Sequence, residues 1–277
     1  MKSAIERSLR LAYPALGLFR AAEPVPEAKS LKKRTSLKGG WGCAMFLLAR
    51  AFRGETIAYS GETCHCPGAA SGLGLTPPPL PFPGGLDGAL RLLSCGNALF
   101  EEGRVAVSEL REAGAGREVI EEFEFGEGFK KTPGLVLEGM KSLPRLSPNP
   151  GFLIAGPLEK IDRQPEVVIF LANGEQLSAL NILANYARAS HDNVIFPFAA
   201  GCMSIGIYPL GEIDRPNPRA VVGLADMSAR HTLRRLLGTD LLSFSVPWAL
   251  FSEMEGNAGE SFLSRPLWAR LAESQKA

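Results

Sequence analysis

Val167-Val168-Ile169-Phe170-Leu171 is an uninterrupted apolar run that begins with three β-branched residues. Such runs are typical of strands that a sheet buries on both faces. Directly after it, residues 175–188 carry Leu177, Leu180 and Leu183 at helical spacing. A buried strand followed by an amphipathic helix predicts a mixed α/β fold.

The alternation of strand and helix continues toward the C-terminus. Residues 193–198, 220–224 and 241–246 each have the composition of a strand. Asp226 can cap the helix that follows the second of these, and Pro247 suits the first turn of another helix. Toward the N-terminus we predict helices over 5–11, 43–52, 87–101, 105–112 and 135–141, a strand over 56–59, a poorly defined connection after 112, and a loop-rich junction over 144–157.

Composition excludes several classes of protein. The chain has 277 residues, of which 45% are hydrophobic, and a formal net charge of +1. A balanced charge does not favour nucleic acid or an anionic membrane as partner. No apolar run reaches the roughly 20 residues that span a bilayer, and the first residues lack the apolar segment of a signal peptide. We therefore expect one cytoplasmic domain over residues 1–277, of undetermined oligomeric state, with a small molecule as the only partner that the sequence suggests.

The stretch from Gly39 to Leu75 is the richest in chemistry. It contains Cys43, Cys64 and Cys66 among many glycines. Five cysteines are an odd number in a chain of this size, which favours reduced thiols over a disulfide scaffold. After this stretch, five prolines between Pro77 and Pro83 predict an extended surface strap that could act as a lid.

The spacing of two cysteines suggests an internal duplication. Cys66 follows Ala44 by 22 residues and Cys202 follows Ala179 by 23, each after a helix and a short strand. We therefore expect two similar halves, about 22–143 and 150–277, each with a helix, a strand and a cysteine-bearing turn around a mixed sheet. This pairing would bring Cys66 close to Cys202.

Such convergence would create a set of four thiolates. Soft thiolates suit tetrahedral zinc or an iron–sulfur cluster. The favoured interpretation is a cytoplasmic metal- or iron–sulfur-binding protein with a cysteine-lined pocket that serves redox or small-molecule chemistry. The usual Cys-X2-Cys and ferredoxin spacings are absent, so the spacing does not choose the metal. The expected ligands are Cys43, Cys64, Cys66 and Cys202.

Two other interpretations stay open at this stage. In one, the protein is a thiol-dependent enzyme, with Cys66 or Cys202 as a nucleophile at a helix N-terminus. In the other, it binds no metal and holds a small anion at the turn that contains Gly201, Ser204 and Gly206. Motifs for dinucleotides, for nucleoside triphosphates and for serine hydrolases are absent. Neither the reaction nor the substrate follows from the sequence.

Several long segments resemble a known family. Pro165–Phe170, Gln176–Leu180, Asn193–Ile205 and Asn217–Arg230 are similar to the uncharacterised ArCR family of archaea and bacteria, a domain of unknown function. The resemblance extends over nearly the whole chain. It implies one conserved unit rather than two unrelated domains, and it implies no particular activity.

Overall fold

We describe the protein from a computed structural model. It describes residues 3–30, 43–64, 66–75, 82–149 and 151–274. The predicted mixed α/β class is confirmed, because these residues form an eight-stranded mixed sheet together with helices. No helix within these ranges is long and apolar enough to cross a bilayer.

The described secondary structure is numbered in chain order. The strands are β1 Leu16–Ala21, β2 Lys29–Ser30, β3 Ile57–Ser60, β4 Phe152–Pro157, β5 Val167–Ala172, β6 Val194–Ile195, β7 Ala220–Gly223 and β8 Leu242–Pro247. The α-helices are α1 Ala4–Leu9, α2 Ala44–Phe52, α3 Pro67–Gly72, α4 Gly85–Leu92, α5 Glu101–Glu112, α6 Arg117–Phe125, α7 Pro133–Lys141, α8 Gly174–Asn185, α9 Tyr208–Gly211, α10 Met227–Leu237, α11 Trp248–Asn257 and α12 Pro266–Ser274. A π-helix covers Met203–Ile207, and short 3-10 helices cover Leu158–Lys160 and Phe262–Ser264.

Packing divides the chain into two compact units. Unit 1 consists of Met1–Ser30, Ala44–Ala58 and Phe152–Ala277, and unit 2 consists of Leu31–Cys43 and Tyr59–Gly151. The sheet belongs to unit 1 except for the last two residues of β3, whereas α3 to α7 belong to unit 2. The expectation of a single domain over 1–277 stays a prediction, because a division by packing does not establish whether the units fold separately.

The sheet has the strand order β2-β3-β4-β1-β5-β8-β7-β6. At its centre β1 pairs antiparallel with both β4 and β5. Further out, β8 pairs antiparallel with β5 and with β7. The outermost pairs, β2 with β3 and β6 with β7, are parallel.

The strand order repeats itself, but with a different correspondence from the predicted one, and the duplication itself stays a prediction. Counted outward from the centre, one half runs β1-β4-β3-β2 and the other runs β5-β8-β7-β6, so the first to fourth strands of each half occupy the same places. The predicted match of β3 with β6 is therefore not supported, since β3 is an inner strand and β6 is an edge strand. The counterpart of β3 is β7. The helix before β3 begins after Cys43 and the helical segment before β7 begins after Cys202, so the order equates Cys202 with Cys43 rather than with Cys66.

The core of unit 1 explains why the sheet forms. Alternate residues of β5 and β8, such as Phe170 and Phe244, are fully buried on one face of the sheet. They pack against apolar residues of α1, α8, α11 and α12. Burying one such side chain contributes about 1.5–3 kcal/mol, so this layer contributes strongly to the stability of unit 1.

Unit 2 is helical and has its own small core. Phe123 of α6 is fully buried against Ala106, Val107 and Leu110 of α5. Asn97 is also fully buried, and its amide donates to the carbonyl oxygens of Gly88 and Phe123 at 3.2 and 3.0 Å. A polar side chain thus joins α4 to α6.

Two predictions for unit 2 are wrong. The helix predicted over 87–101 ends at Leu92, because Gly96 adopts a φ of +79° that a right-handed helix does not contain. As a result Leu99 is 79% exposed, and Cys95 lies in an exposed turn. The connection after 112 was expected to be poorly defined, but it contains α6.

Strand predictions failed at the centre of the sheet. The central strands β1 and β4 were not expected, and β4 lies in the predicted junction over 144–157. The strand predicted over 193–198 is limited to β6. The predicted strap from Pro77 to Pro83 falls largely outside the described residues, as does most of the glycine-rich approach to Cys43.

A matched pair of glycines tests the helix ends. Gly238 ends α10 with a φ of +70°, and its N–H donates to Arg234 O at 2.8 Å. Gly238→Ala should lower the free energy of unfolding by about 1–2 kcal/mol, because a side chain disfavours the left-handed conformation. Gly256→Ala inside α11 should raise it by about 0.5–1 kcal/mol, since a Cβ atom there meets nothing within 4 Å. Urea unfolding measures both, and equal effects would contradict the assignment.

Candidate functional site

A tight turn carries the chain from β3 to the cysteines of unit 2. The N–H of Cys64 donates to Ser60 O at 3.0 Å, and the Thr63 hydroxyl donates to the same oxygen at 3.1 Å. The Ser60 N–H in turn donates to Thr63 Oγ1 at 3.0 Å. These bonds satisfy the polar groups of the turn, so the Cys64 thiol can lie fully buried.

Cys66 stands directly before α3. Pro67 is the first residue of this helix, where its missing N–H costs no hydrogen bond, and Cys66 occupies the N-cap position. The Cys66 side chain accepts no capping hydrogen bond from the helix. The Cys64 thiol donates to Cys66 O at 3.4 Å, and the same oxygen accepts from the Ala70 N–H at 2.9 Å. The N–H groups of the first turn of α3 favour negative charge on both sulfurs, but by less than burial disfavours it.

Burial outweighs these donors. Loss of hydration raises the pKa of Cys64 from 9.0 to about 12, and negative charge on Cys66 adds to the rise. Burial also raises the pKa of Cys66, and the Glu127 carboxylate acts in the same direction. The backbone groups that oppose the rise carry no net charge. Without a cation, both thiols are therefore protonated at neutral pH.

Tyr59 connects a third cysteine to the site. Its side chain is fully buried at the end of β3 and forms a hydrogen bond with the Cys64 thiol. Burial raises the pKa of the Tyr59 hydroxyl, and negative charge on Cys64, Cys43 and Cys66 raises it further. Tyr59 thus interacts electrostatically with all three cysteines, so Cys43, Cys64 and Cys66 lie in one neighbourhood of unit 2. We call these three residues and Tyr59 the thiol site.

The other two cysteines are not part of the thiol site. Cys202 is buried in unit 1, Cys95 is exposed in unit 2, and His65 lies outside the described residues. The structure describes all five cysteines and joins none of them in a disulfide. Among the described residues, no group of three or more His, Cys, Asp or Glu side chains is arranged so that it could hold a metal ion. The four-thiolate set therefore stays a prediction.

The turn predicted to hold an anion is buried in unit 1. Gly201 packs against Met45 and Ala229, and Ser204 and Gly206 are buried in the π-helix. The Ser204 hydroxyl donates to Gly201 O at 3.1 Å and accepts from the Leu224 N–H at 3.3 Å. Its donor is therefore already used within the protein. The anion interpretation stays a prediction with little geometric support here.

Sequence reasoning missed Tyr59 as part of a site. It was expected only as the last residue of a strand, and a tyrosine in a strand is usually a packing residue. The available signal was its position five residues before Cys64. In unit 1, Asp226 was expected as a helix cap, which is confirmed, since its carboxylate accepts from the Ala229 N–H at 2.8 Å.

The comparisons with known proteins give a family and nothing further. The family model described as uncharacterised ArCR, DUF169, matches residues 4–257. No curated protein and no solved structure matches the chain.

The raised pKa of Cys64 makes stability depend on pH. Above about pH 9 the unfolded chain loses the Cys64 proton, whereas the folded protein keeps it to about pH 12. The folded state then binds more protons, so stability falls as pH rises through this window, by up to about 1.4 kcal/mol per pH unit. Cys64→Ser should flatten this slope in urea unfolding at several pH values. Cys95→Ser is the control and should leave the slope unchanged; an unchanged slope in Cys64→Ser would contradict the assignment.

Proposed function

Because the chain belongs to the uncharacterised ArCR family, whose description assigns no reaction, we propose a function from the thiol site itself: Cys43, Cys64 and Cys66 bind a soft metal ion as thiolates. Zinc or iron, alone or in an iron–sulfur cluster, is the appropriate class. In a reducing cytoplasm these thiols would be available as ligands.

The observation that carries the proposal is the neighbourhood of Cys43, Cys64 and Cys66 around the buried Tyr59 side chain. The N–H groups at the start of α3 favour negative charge on Cys64 and Cys66, although Cys66 accepts no capping hydrogen bond in the metal-free protein. A protonated thiol is a weak acceptor and gains little from such donors, whereas a metal-bound thiolate gains much. Hydrogen bonds to sulfur are also what tunes thiolate metal centres.

The raised pKa values support a metal over a nucleophile. A thiol acts as a nucleophile through its thiolate, which burial suppresses at Cys64 and Cys66. A metal ion removes this obstacle, because its positive charge replaces the protons. The alternative of Cys66 as catalytic nucleophile is thus the weaker proposal. The alternative of Cys202 as the nucleophile stays a prediction.

Metal binding requires the three sulfurs to move together from their described positions. Zinc places each sulfur about 2.3 Å from itself. A fourth ligand is also needed for a closed tetrahedral site, and His65 stands between Cys64 and Cys66 in the sequence. Binding is therefore coupled to a local rearrangement of the turn between β3 and α3.

Metal content of the full chain tests the proposal. Protein purified without oxygen should contain close to one zinc per chain, or show the absorption of an iron–sulfur cluster. Cys64→Ser and Cys66→Ser should each abolish retention through gel filtration, and Cys43→Ser should weaken it. Cys95→Ser, in the exposed turn, is the matched control and should retain the metal.

A proton count provides a second measurement. Because Cys64 and Cys66 are protonated in the metal-free protein, zinc binding at neutral pH should release at least two protons into a weakly buffered indicator solution. Metal-free wild type that takes up neither zinc nor iron would contradict the proposal. Selective alkylation of Cys66 at neutral pH would favour the nucleophile instead.

A further inference from the structure

Unit 1 contains a buried carboxylate that is only half satisfied. Asp226 is 1% exposed at the N-cap of α10. Its Oδ1 accepts from the Ala229 N–H at 2.8 Å and from the Ser228 hydroxyl at 2.9 Å. Its Oδ2 is buried and has no hydrogen-bond partner among the described residues. Leaving such an atom unpaired costs about 1–3 kcal/mol or more for a charged group.

A second unsatisfied oxygen lies on the adjacent strand. Ser243 of β8 is fully buried, and its hydroxyl likewise has no hydrogen-bond partner within the described ranges. Gly223 pairs with Ser243 across the strands. A Cβ atom on Gly223 would collide with Ser204 and lie 2.9 Å from Ser243 Oγ, so the two hydroxyls approach each other over this glycine.

Ser204 and Gly201 link Ser243 to Asp226. The Ser204 hydroxyl uses its proton on Gly201 O and one lone pair on the Leu224 N–H, which leaves one lone pair. Gly201 itself lies against Ala229, the residue whose N–H binds the Asp226 carboxylate. Burial raises the pKa of the Asp226 carboxyl group, and the Gly201 N–H partly opposes this rise. We call Asp226, Ser204 and Ser243 the oxygen site.

The backbone around the oxygen site is strained. Leu224 has a φ of +62°, which is unusual for a bulky residue and costs on the order of 1–3 kcal/mol. The π-helix that carries Ser204 is a second departure from regular structure. Both features occur preferentially where a protein places groups for function. Here they hold oxygen atoms directly after the carboxyl end of β7.

Charge and donor type identify the ligand. When Asp226 is ionised, the site offers one negative charge and otherwise neutral oxygens. None of the ion pairs described for unit 1 includes Asp226. Oxygen ligands select hard cations rather than soft metals. Mg²⁺ or Ca²⁺ would leave one positive charge without a counter-ion in this buried site, whereas a monovalent cation matches the single carboxylate.

We propose that Asp226 Oδ2, Ser243 Oγ and the remaining lone pair of Ser204 bind a monovalent metal cation, Na⁺ or K⁺. The cation contributes the partner that the carboxylate and the Ser243 hydroxyl lack, and it ties β7, β8, α10 and the π-helix together. This inference does not depend on the thiol site, which lies in the other unit.

Thermal unfolding of the full chain tests the proposal. Ionic strength is held constant while NaCl or KCl replaces N-methylglucamine chloride, whose cation is too large to enter. The unfolding midpoint of the wild type should rise by several degrees and saturate with one of the alkali ions, because a ligand bound only by the folded state stabilises it. Asp226→Asn keeps the shape of the side chain but removes its charge, and should abolish the rise. Ser243→Ala should require at least tenfold more cation for the same rise.

Ser245→Ala is the matched control. Ser245 lies on the same strand, is fully buried and has an equally unpartnered hydroxyl among the described residues, but it pairs with Val221 rather than with Gly223. It should keep the wild-type response to the cation. A wild type without a saturable alkali-ion effect, or an Asp226→Asn variant that retains one, would overturn the proposal.

If Asp226→Asn does not fold, spectroscopy of the wild-type protein can still distinguish a bound cation from a protonated Asp226. Broadening of the ²³Na resonance by the wild-type protein, reversed by K⁺ and preserved in Ser245→Ala, would support the site. A carboxylic-acid C=O band at neutral pH in the infrared spectrum of the wild type, absent from a folded Asp226→Ser variant that keeps an N-cap hydroxyl but has no carboxyl group, would show that a proton neutralises Asp226. That result would overturn the cation.

Discussion

The antiparallel pairing of β1 with β5 is the constraint on which the rest of the sheet depends. These strands adjoin at the centre of the sheet, and each is the first strand of one half of the duplicated order. Outward from this antiparallel pair, the strand order reads the same on either side. From this pair each half adds its fourth, third and second strand outward, so every other strand takes its place relative to β1 or β5.

In the repeated strand order, both candidate sites include residues that directly follow the third strand of their half. In one half the chain leaves β3 for Cys64 and Cys66, with Cys66 at the N-cap of α3. In the other it leaves β7 for Asp226, at the N-cap of α10. The two halves place different donors at equivalent points, sulfur in one and oxygen in the other. Donor softness then predicts different cations for the thiol site and the oxygen site.

The sequence alone predicted the elements whose signals are local. The apolar run of β5, the helical spacing of α8 and the cap at Asp226 depend on neighbouring residues, and all three predictions were confirmed. The central strands β1 and β4 were missed because their signals depend on distant residues. Gly17 interrupts the apolar pattern of β1, yet Ile161 and Pro165 occupy the space that its side chain would need. Arg20 also resembles a loop residue, but Glu166 pairs with it at 2.6 Å.

The same limit applies to the candidate sites. Cysteine and glycine content identified the stretch that forms the thiol site, because those residue types are rare and informative. The burial of Tyr59 and the unsatisfied oxygens of Asp226 and Ser243 depend on tertiary packing, which no local pattern reports. The correspondence of Cys202 with Cys43 depends on strand order, and equal spacing along the chain was a poor substitute for it.

The position of β1 also determines when the protein can fold during synthesis. Leu18 of β1 pairs with Ala155 of β4 and with Val167 of β5, so its partners are made only after more than half of the chain. Until then an apolar strand has no sheet to join, whereas the helices of unit 2 are made earlier and rely on contacts between near neighbours in sequence. Long-range pairing of this kind folds slowly and exposes strand edges meanwhile. The nascent chain of this protein is therefore expected to need protection by chaperones until β5 has left the ribosome.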